Sequence, residues 1–439
     1  MVIKMKKMRY VVISLVLVVV LALTGCGGHT ETPSGGSEAT SSGTAEETIT
    51  LKIMSGLQME KEAPLEQALA EAYMAENPNV KIEFIPEKVN DIPQRLIAMS
   101  TSGDLPDAFP VSTQFMAQAS DMGLYVDPAP YMGEEFMNDL DPAVVEAASV
   151  DGVLANVPWT CQPHILIYRT DWLEEAGMDS IETMEDFRNA ALAFTDAEKG
   201  QYGFALIGHP VSGQGRFKQF VNSFGLDEIY EEDGVWKSDL NTPEYREVLE
   251  FFTNLDLVDG VVGPGSTETD YSAACTLMAQ ERAGMMFSGS NAVGVILAEN
   301  PDLKDKLGTC VTPKQERHCT DLAVGGYAIS STCKHPEVLA DYLRFIAKPE
   351  NSIDFAYKTG RLPVTTTALN DPAFEEPVYK GCVDAIKYSI LKPNIASYNE
   401  TWDIMGESYN SVLSGVSLDD AMKQVDKRVT ALLEEANKG

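Results

Sequence analysis

The chain is 439 residues long and 44% hydrophobic, with 66 acidic against 33 basic residues and a net charge of -33. A single core seldom grows past roughly 250–300 residues, so two lobes are expected. The acidic surface repels phosphate backbones and anionic lipid, which excludes nucleic acid as a partner and a basic peripheral grip on a membrane.

Lys4, Lys6, Lys7 and Arg9 make a basic start, and an apolar run interrupted only by Ser14 follows over 10–23. That run has the length of a signal-peptide core and is too short to span roughly 30 Å of hydrocarbon. It ends in Leu23-Thr24-Gly25-Cys26, which resembles the lipobox of bacterial lipoproteins. Small residues fit a peptidase cleft, and a new N-terminal cysteine offers a thiolate for diacylglyceryl transfer. Residues 1–25 are thus expected to be a signal peptide, with Cys26 anchoring the chain by lipid to the outer face of the cell membrane. The stretch 27–48 is rich in Gly, Ser, Thr and Glu and buries too little to order itself. As a flexible chain it would reach roughly 26 Å r.m.s., so 26–48 reads as a lipidated tether.

The folded region begins at Ile49. Residues 50–55 read as a buried strand ending at Gly56, and Leu65, Leu69, Ala72 and Tyr73 share one face of a helix over 64–76. Asn77-Pro78-Asn79 breaks that helix; a strand over 80–85, a helix over 92–101 and a short apolar run at 108–111 follow. Strand alternating with helix is the pattern of a parallel sheet covered on its faces. Further on, 165–168, 202–207, 284–287 and 323–330 are strand-like. Thr183 and Asp186 form a capping box for the helix of Phe187, Ala191 and Phe194. Pro336 opens a helix with Leu339, Leu343 and Ile346 on one face, and Ser417 with Asp420 caps the last one.

Chemistry is hard to find. There is no phosphate-binding G-x-x-x-x-G-K-[ST] run and no G-x-S-x-G. Gly213-Gln214-Gly215 begins a dinucleotide-like pattern that fails at Lys218. The five histidines are scattered, so neither a metal nor another cofactor is expected. Beyond Cys26 the chain has Cys161, Cys275, Cys310, Cys319, Cys333 and Cys382, which allow fifteen pairings. Cys310 and Cys319 flank a polar segment where a hairpin bridge competes with free buried thiols. The pattern leans toward a binder.

Several segments are similar to the carbohydrate-binding proteins of ABC importers, the maltose-binding-protein-like solute-binding family. They are Ala75-Glu76-Asn77-Pro78-Asn79-Val80-Lys81-Ile82, Ser102-Gly103-Asp104-Leu105-Pro106-Asp107-Ala108, and Asp151-Gly152-Val153 through Val157-Pro158. Ile167-Tyr168 and Ala176-Gly177, Thr359-Gly360-Arg361-Leu362-Pro363-Val364, and Lys392-Pro393-Asn394-Ile395 with Trp402 complete the set. The family usually has Asn where this chain has Arg169. The resemblance covers nearly the whole chain from Ile49.

It implies an α/β, two-lobed fold of the periplasmic-binding-protein type II, with a hinge and a ligand cleft between the lobes. Lobe 1 is expected over 49–159 with about 326–370, and lobe 2 over 160–325 with about 371–439. Crossovers are expected near 160–164 and 321–325. No catalysis is implied. The partners implied are a mono- or oligosaccharide and the transmembrane subunits of an ABC permease, with the protein monomeric.

A sugar needs a ring face to stack on and planar polar groups for its hydroxyls. The candidates on post-strand loops are Ser55, Gly56 and Leu57, then Ser112, Thr113 and Gln114, then Ser290 and Asn291. At the crossovers they are Trp159, Gln162, Gly326 and Tyr327, with Arg361 and Trp402 beyond. Each has a plainer use. The tryptophans can pack, Ser112 to Gln114 can cap a helix, and Arg361 can pair with a surface acid. Ser290-Asn291 stands where many relatives carry a tryptophan, which loses a stacking face and points away from maltodextrin. A non-sugar ligand on the same fold, or an exported glycosidase, is the competing expectation.

Overall fold

The computed structural model describes residues 48–57, 61–113, 115–393, 395 and 397–438. Cys26, the tether and Gln114 lie outside them. One mixed sheet organises the described residues. Its strands are β1 (Ile49–Ser55), β2 (Val80–Pro86), β3 (Ala108–Phe109), β4 (Tyr125–Val126), β5 (Val157–Arg169), β6 (Tyr202–Phe204), β7 (Ala283–Gly289), β8 (Leu307–Cys310) and β9 (Leu322–Ser330). The spatial order is β2-β1-β3-β9-β5-β7-β6, with β4 on β9 and β8 on β5.

The first half is built as its periodicity dictates. β1 and β2 run parallel, Ile49 opposite Val80 through Ser55 opposite Pro86, joined by the Ala63–Glu76 helix. Successive strand residues face opposite sides. Leu51 and Ile53 accordingly meet Leu339, Leu343 and Ile346 of the Pro336–Ala347 helix, while Met54 meets Ile92, Leu96 and Phe115 on the other face. The second half repeats this logic. Leu166 and Phe287 enter an aromatic core with Phe187, Phe204, Phe220 and Phe252, whose neighbouring rings cross mostly edge to face. Ile165, Ile167 and Met286 face a second core of Ala274, Met278, Val293 and Cys382. This second core also takes in Leu140, Val144 and Leu154 from the first half, and Leu362 and Val364, so the halves are joined by packing as well as by strands.

β5 and β9 make that join. Their antiparallel pairing runs from Leu322 opposite Pro163 to Gly325 opposite Thr160, then shifts register before Gly326 meets Pro158. Beyond this stretch β5 continues against β7 and β8, and β9 against β3 and β4. The two expected crossing segments are therefore one ladder. Leu362 adds a third line, exchanging both backbone bonds with Cys161 at 2.9 Å.

The Thr183–Asp186 capping box and the Ser417 cap form as expected. All six described cysteines are free, so no bridge joins Cys310 to Cys319. Arg169 is 2% exposed and pairs with Asp171 and Glu281 while lying over the Trp172 ring, which gives this departure from the family a packing role. Among the described residues no helix is long and apolar enough to cross a membrane.

Candidate functional site

A cavity of about 270 Å³ lies against the crossing ladder. The loops after β1 and β3 supply Gly56, Leu57 and Ser112, the ladder supplies Trp159, Gln162, Gly326 and Tyr327, and Arg361 comes from the turn beside it. Eight predicted residues thus share one wall. Val89, Ile92 and Pro93 add an aliphatic side, which carried no local signal because they follow β2 on a separate helix start.

The remaining candidates sit elsewhere. Ser55 is buried behind the wall, donating to Glu66 at 2.6 Å. Thr113 lines a separate cavity of about 170 Å³ with Glu146, Asp151, Lys392 and Tyr398. Ser290 is buried, its hydroxyl donating to the Gly360 carbonyl at 2.7 Å. Asn291 lines a third cavity of about 240 Å³ with Lys61 and Lys358 and donates to the Tyr271 hydroxyl at 3.2 Å. Trp402 is not in the wall of the 270 Å³ cavity. The Lys392 ammonium lies 5.2 Å from its ring centroid, so that face is already covered. Trp159 is 3% exposed, donates its indole N–H to the Ile346 carbonyl at 3.2 Å and packs 4.6 Å from Phe355. Its main use is packing at the ladder. Arg361 makes a bidentate pair with Glu62 at 2.6 and 3.0 Å, holding the turn to the first helix.

Behind the wall, Glu66 accepts hydrogen bonds from Ser55 and from Tyr327 of β9. Burial pushes its carboxyl up to about 7 from an ordinary 4.5; the two hydrogen bonds oppose this and the Glu62 charge adds to it. A carboxyl whose folded pKa is raised binds its proton more tightly when folded. Its stabilisation is complete below the unfolded value and is lost as pH rises through about 7. Glu66→Gln is expected to remove that slope, so its melting temperature should gain on the unmodified protein between roughly pH 5 and 8. A difference independent of pH would contradict the assignment.

A buried charged cluster lies at the foot of β9. The Lys218 ammonium is 2.9 Å from Glu228 and 3.5 Å from Asp321, and Lys392 is 3.1 Å from Asp321. Tyr398 donates to Glu228 at 2.5 Å. Burial disfavours ionisation of Asp321, but Lys392 and Lys218 outweigh it and hold the carboxyl well below its usual range. Burial pushes the neighbouring His164 imidazole down to about 4, so it is neutral. Nothing in the local sequence marks these residues as a set, since they come from four separate segments.

A family model of bacterial extracellular solute-binding proteins matches residues 58–353. The chain belongs to that family. Its curated relatives include a maltotriose-binding protein of Pyrococcus abyssi, 23% identical over 76% of this chain and 71% of that one. They also include lipoprotein LipO of Bacillus subtilis, 24% identical over 75% of this chain and 68% of the relative. Among solved structures, maltose-bound MalE3 of T. maritima superposes with a TM-score of 0.74 at 21% identity, covering 88% of this chain and 100% of that one. The two-lobed α/β fold expected from the sequence is the fold of these solute-binding proteins. The expectation of a binder rather than an enzyme, placed outside the cytoplasm, agrees with the family.

Proposed function

We propose that this solute-binding protein captures a mono- or oligosaccharide between its lobes and delivers it to an ABC permease. The observation that carries the reading is the 270 Å³ cavity at the crossing ladder, walled by post-strand loops where open α/β sheets hold their ligands. The lobes are taken as 49–159 with about 326–370, and 160–325 with about 371–439; the packing of Leu362 and Val364 in the joint core favours treating 359–370 as a hinge segment. Cys26 carries the lipid and 26–48 tethers the monomer to the membrane.

The eight wall residues are the proposed ligand contacts, with Ser112 and Gln162 donating and accepting for hydroxyls and the Leu57–Ile92 side meeting the C–H face of the ring. Ser55 acts by fixing the wall through Glu66, which also takes the hydroxyl of the wall residue Tyr327. Titration calorimetry against a panel of carbohydrates, polyols, peptides and polyamines tests the reading. Saturable heat with one or more carbohydrates is expected; heat only with peptides or polyamines, or release of new reducing ends from oligosaccharides, would refute it.

A further inference from the structure

The two faces of the second half-sheet are joined over its edge by one arginine. The Gln214–Ser223 helix packs on one face through Phe217, Phe220 and Val221, and the Tyr271–Ala279 helix on the other through Ala274, Cys275 and Met278. Arg216 reaches from the first to the second, its guanidinium carbon 5.3 Å from the centroid of the Tyr271 ring. On the way it donates to the Ser212 carbonyl at 3.0 Å and to the Ser288 hydroxyl at 3.2 Å. Ser288 is the penultimate residue of β7, which runs parallel to β6, so the guanidinium lies at the carboxyl edge of this pair. That is the edge at which such sheets receive ligands.

The edge adjoins the segments that wall the proposed cleft. Ser290, two residues beyond Ser288, bonds to the carbonyls of Pro163 and Gly360, the chain neighbours of Gln162 and Arg361 in the cavity wall. Asn291 follows and bonds to Tyr271.

Arg216, partly buried, differs from Arg169 and Arg361 in having no acid in contact. Arg169 has Asp171 and Glu281, and Arg361 has Glu62. Among the described residues no carboxylate lies within 4.0 Å of Arg216, and its buried Nε–H has no acceptor. Burial holds its pKa below the ordinary 12.5. In a chain with 66 acidic residues, a partly buried cation with no acid in contact is costly unless something else supplies a close negative charge. The planar guanidinium, with a buried Nε lacking an acceptor and Nη2 held only by a hydroxyl, has on that side the two donors that a carboxylate fills with parallel hydrogen bonds. The net charge of -33 gives no long-range attraction for anions, so selection must come from this contact.

We infer that Arg216 receives a carboxylate, so that the carbohydrate of the proposed function carries a uronic acid residue. This rests on that function and narrows it. Asn291 and Tyr271 hold the arginine at the edge, beside a neutral His164 and with Asp321 acting on it only from beyond ion-pair distance.

The test pairs ligands that differ only in charge. Calorimetry on the mature chain uses galacturonate, glucuronate and uronate-containing disaccharides, each against its neutral methyl ester, together with neutral sugars, citrate and acetate. At least one acid is expected to bind on the order of 100-fold more tightly than its ester. Arg216→Gln should bind that acid no better than the unmodified protein binds the ester, and Arg216→Lys should recover part of the difference. The ester comparison needs no variant and stands even where Arg216→Gln fails to fold. Neutral sugars binding as well as or better than every acid would overturn the inference and leave the carbohydrate reading intact. Binding of citrate or acetate alone, or of no carbohydrate, would overturn both.

Discussion

Lys218→Met is expected to cost about 3–5 kcal/mol of folding stability, because it removes the cation that faces two buried carboxylates. Lys218 is fully buried, and Glu228 and Asp321 are 3% and 4% exposed. Burial lowers the affinity of Lys218 for its proton, but Glu228 and Asp321 more than offset this and hold it charged. Without it, Glu228 keeps the Tyr398 hydroxyl, the Asn222 amide and its own backbone N–H, and Asp321 keeps Lys392. Adding Glu228→Gln to Lys218→Met should recover much of the loss, since it withdraws one stranded charge. Urea unfolding of the two single variants and the double variant measures this. A loss below about 1 kcal/mol for Lys218→Met would show that the cluster is solvated rather than dry.

Gly326→Ala should be nearly as severe. A Cβ there would sit 2.1 Å from the Val157 carbonyl oxygen and 2.7 Å from Asn156 Oδ1, at the register shift between the two crossing strands. Backbone cannot withdraw without breaking the ladder, so a loss of about 3 kcal/mol is expected. Gly325→Ala is the control. Its Cβ would press only on the Thr160 hydroxyl, at 2.7 Å, a side chain that can turn away. Thermal unfolding of both should separate them clearly; equal losses would mean that the ladder yields at Gly326 as easily as a side chain does.

The parts of the fold that could be read in the sequence are those whose signal is local. The change from period 2 to period 3.6 between Ile49 and Ile85 defines the first strand-helix-strand unit, and the Thr183–Asp186 box marks a helix start. The full length of β5 was hidden. Pro158 and Pro163 break its pattern, and it is held there by β9, more than 150 residues away in sequence. For the site, eight candidates share one cavity wall, three from the loops after β1 and β3, four from the crossing ladder and Arg361 from the turn beside it. Ser290 and Trp402 ended outside it because their surroundings depend on long-range packing: Gly360 takes the Ser290 hydroxyl, and Lys392 covers the Trp402 ring. The failed glycine pattern at 213–218 carried a different message. Its Arg216 and Lys218 point to opposite tasks, one left without an acid at the sheet edge and the other compensated within the protein.

Closure of the two lobes on a sugar is the claim on which the rest depends. Small-angle scattering of the mature chain, with and without the saturating carbohydrate identified by calorimetry, tests it most directly. The radius of gyration should fall on binding and the curve should match a more closed pair of lobes. Superimposable curves at full saturation would contradict a hinged capture mechanism.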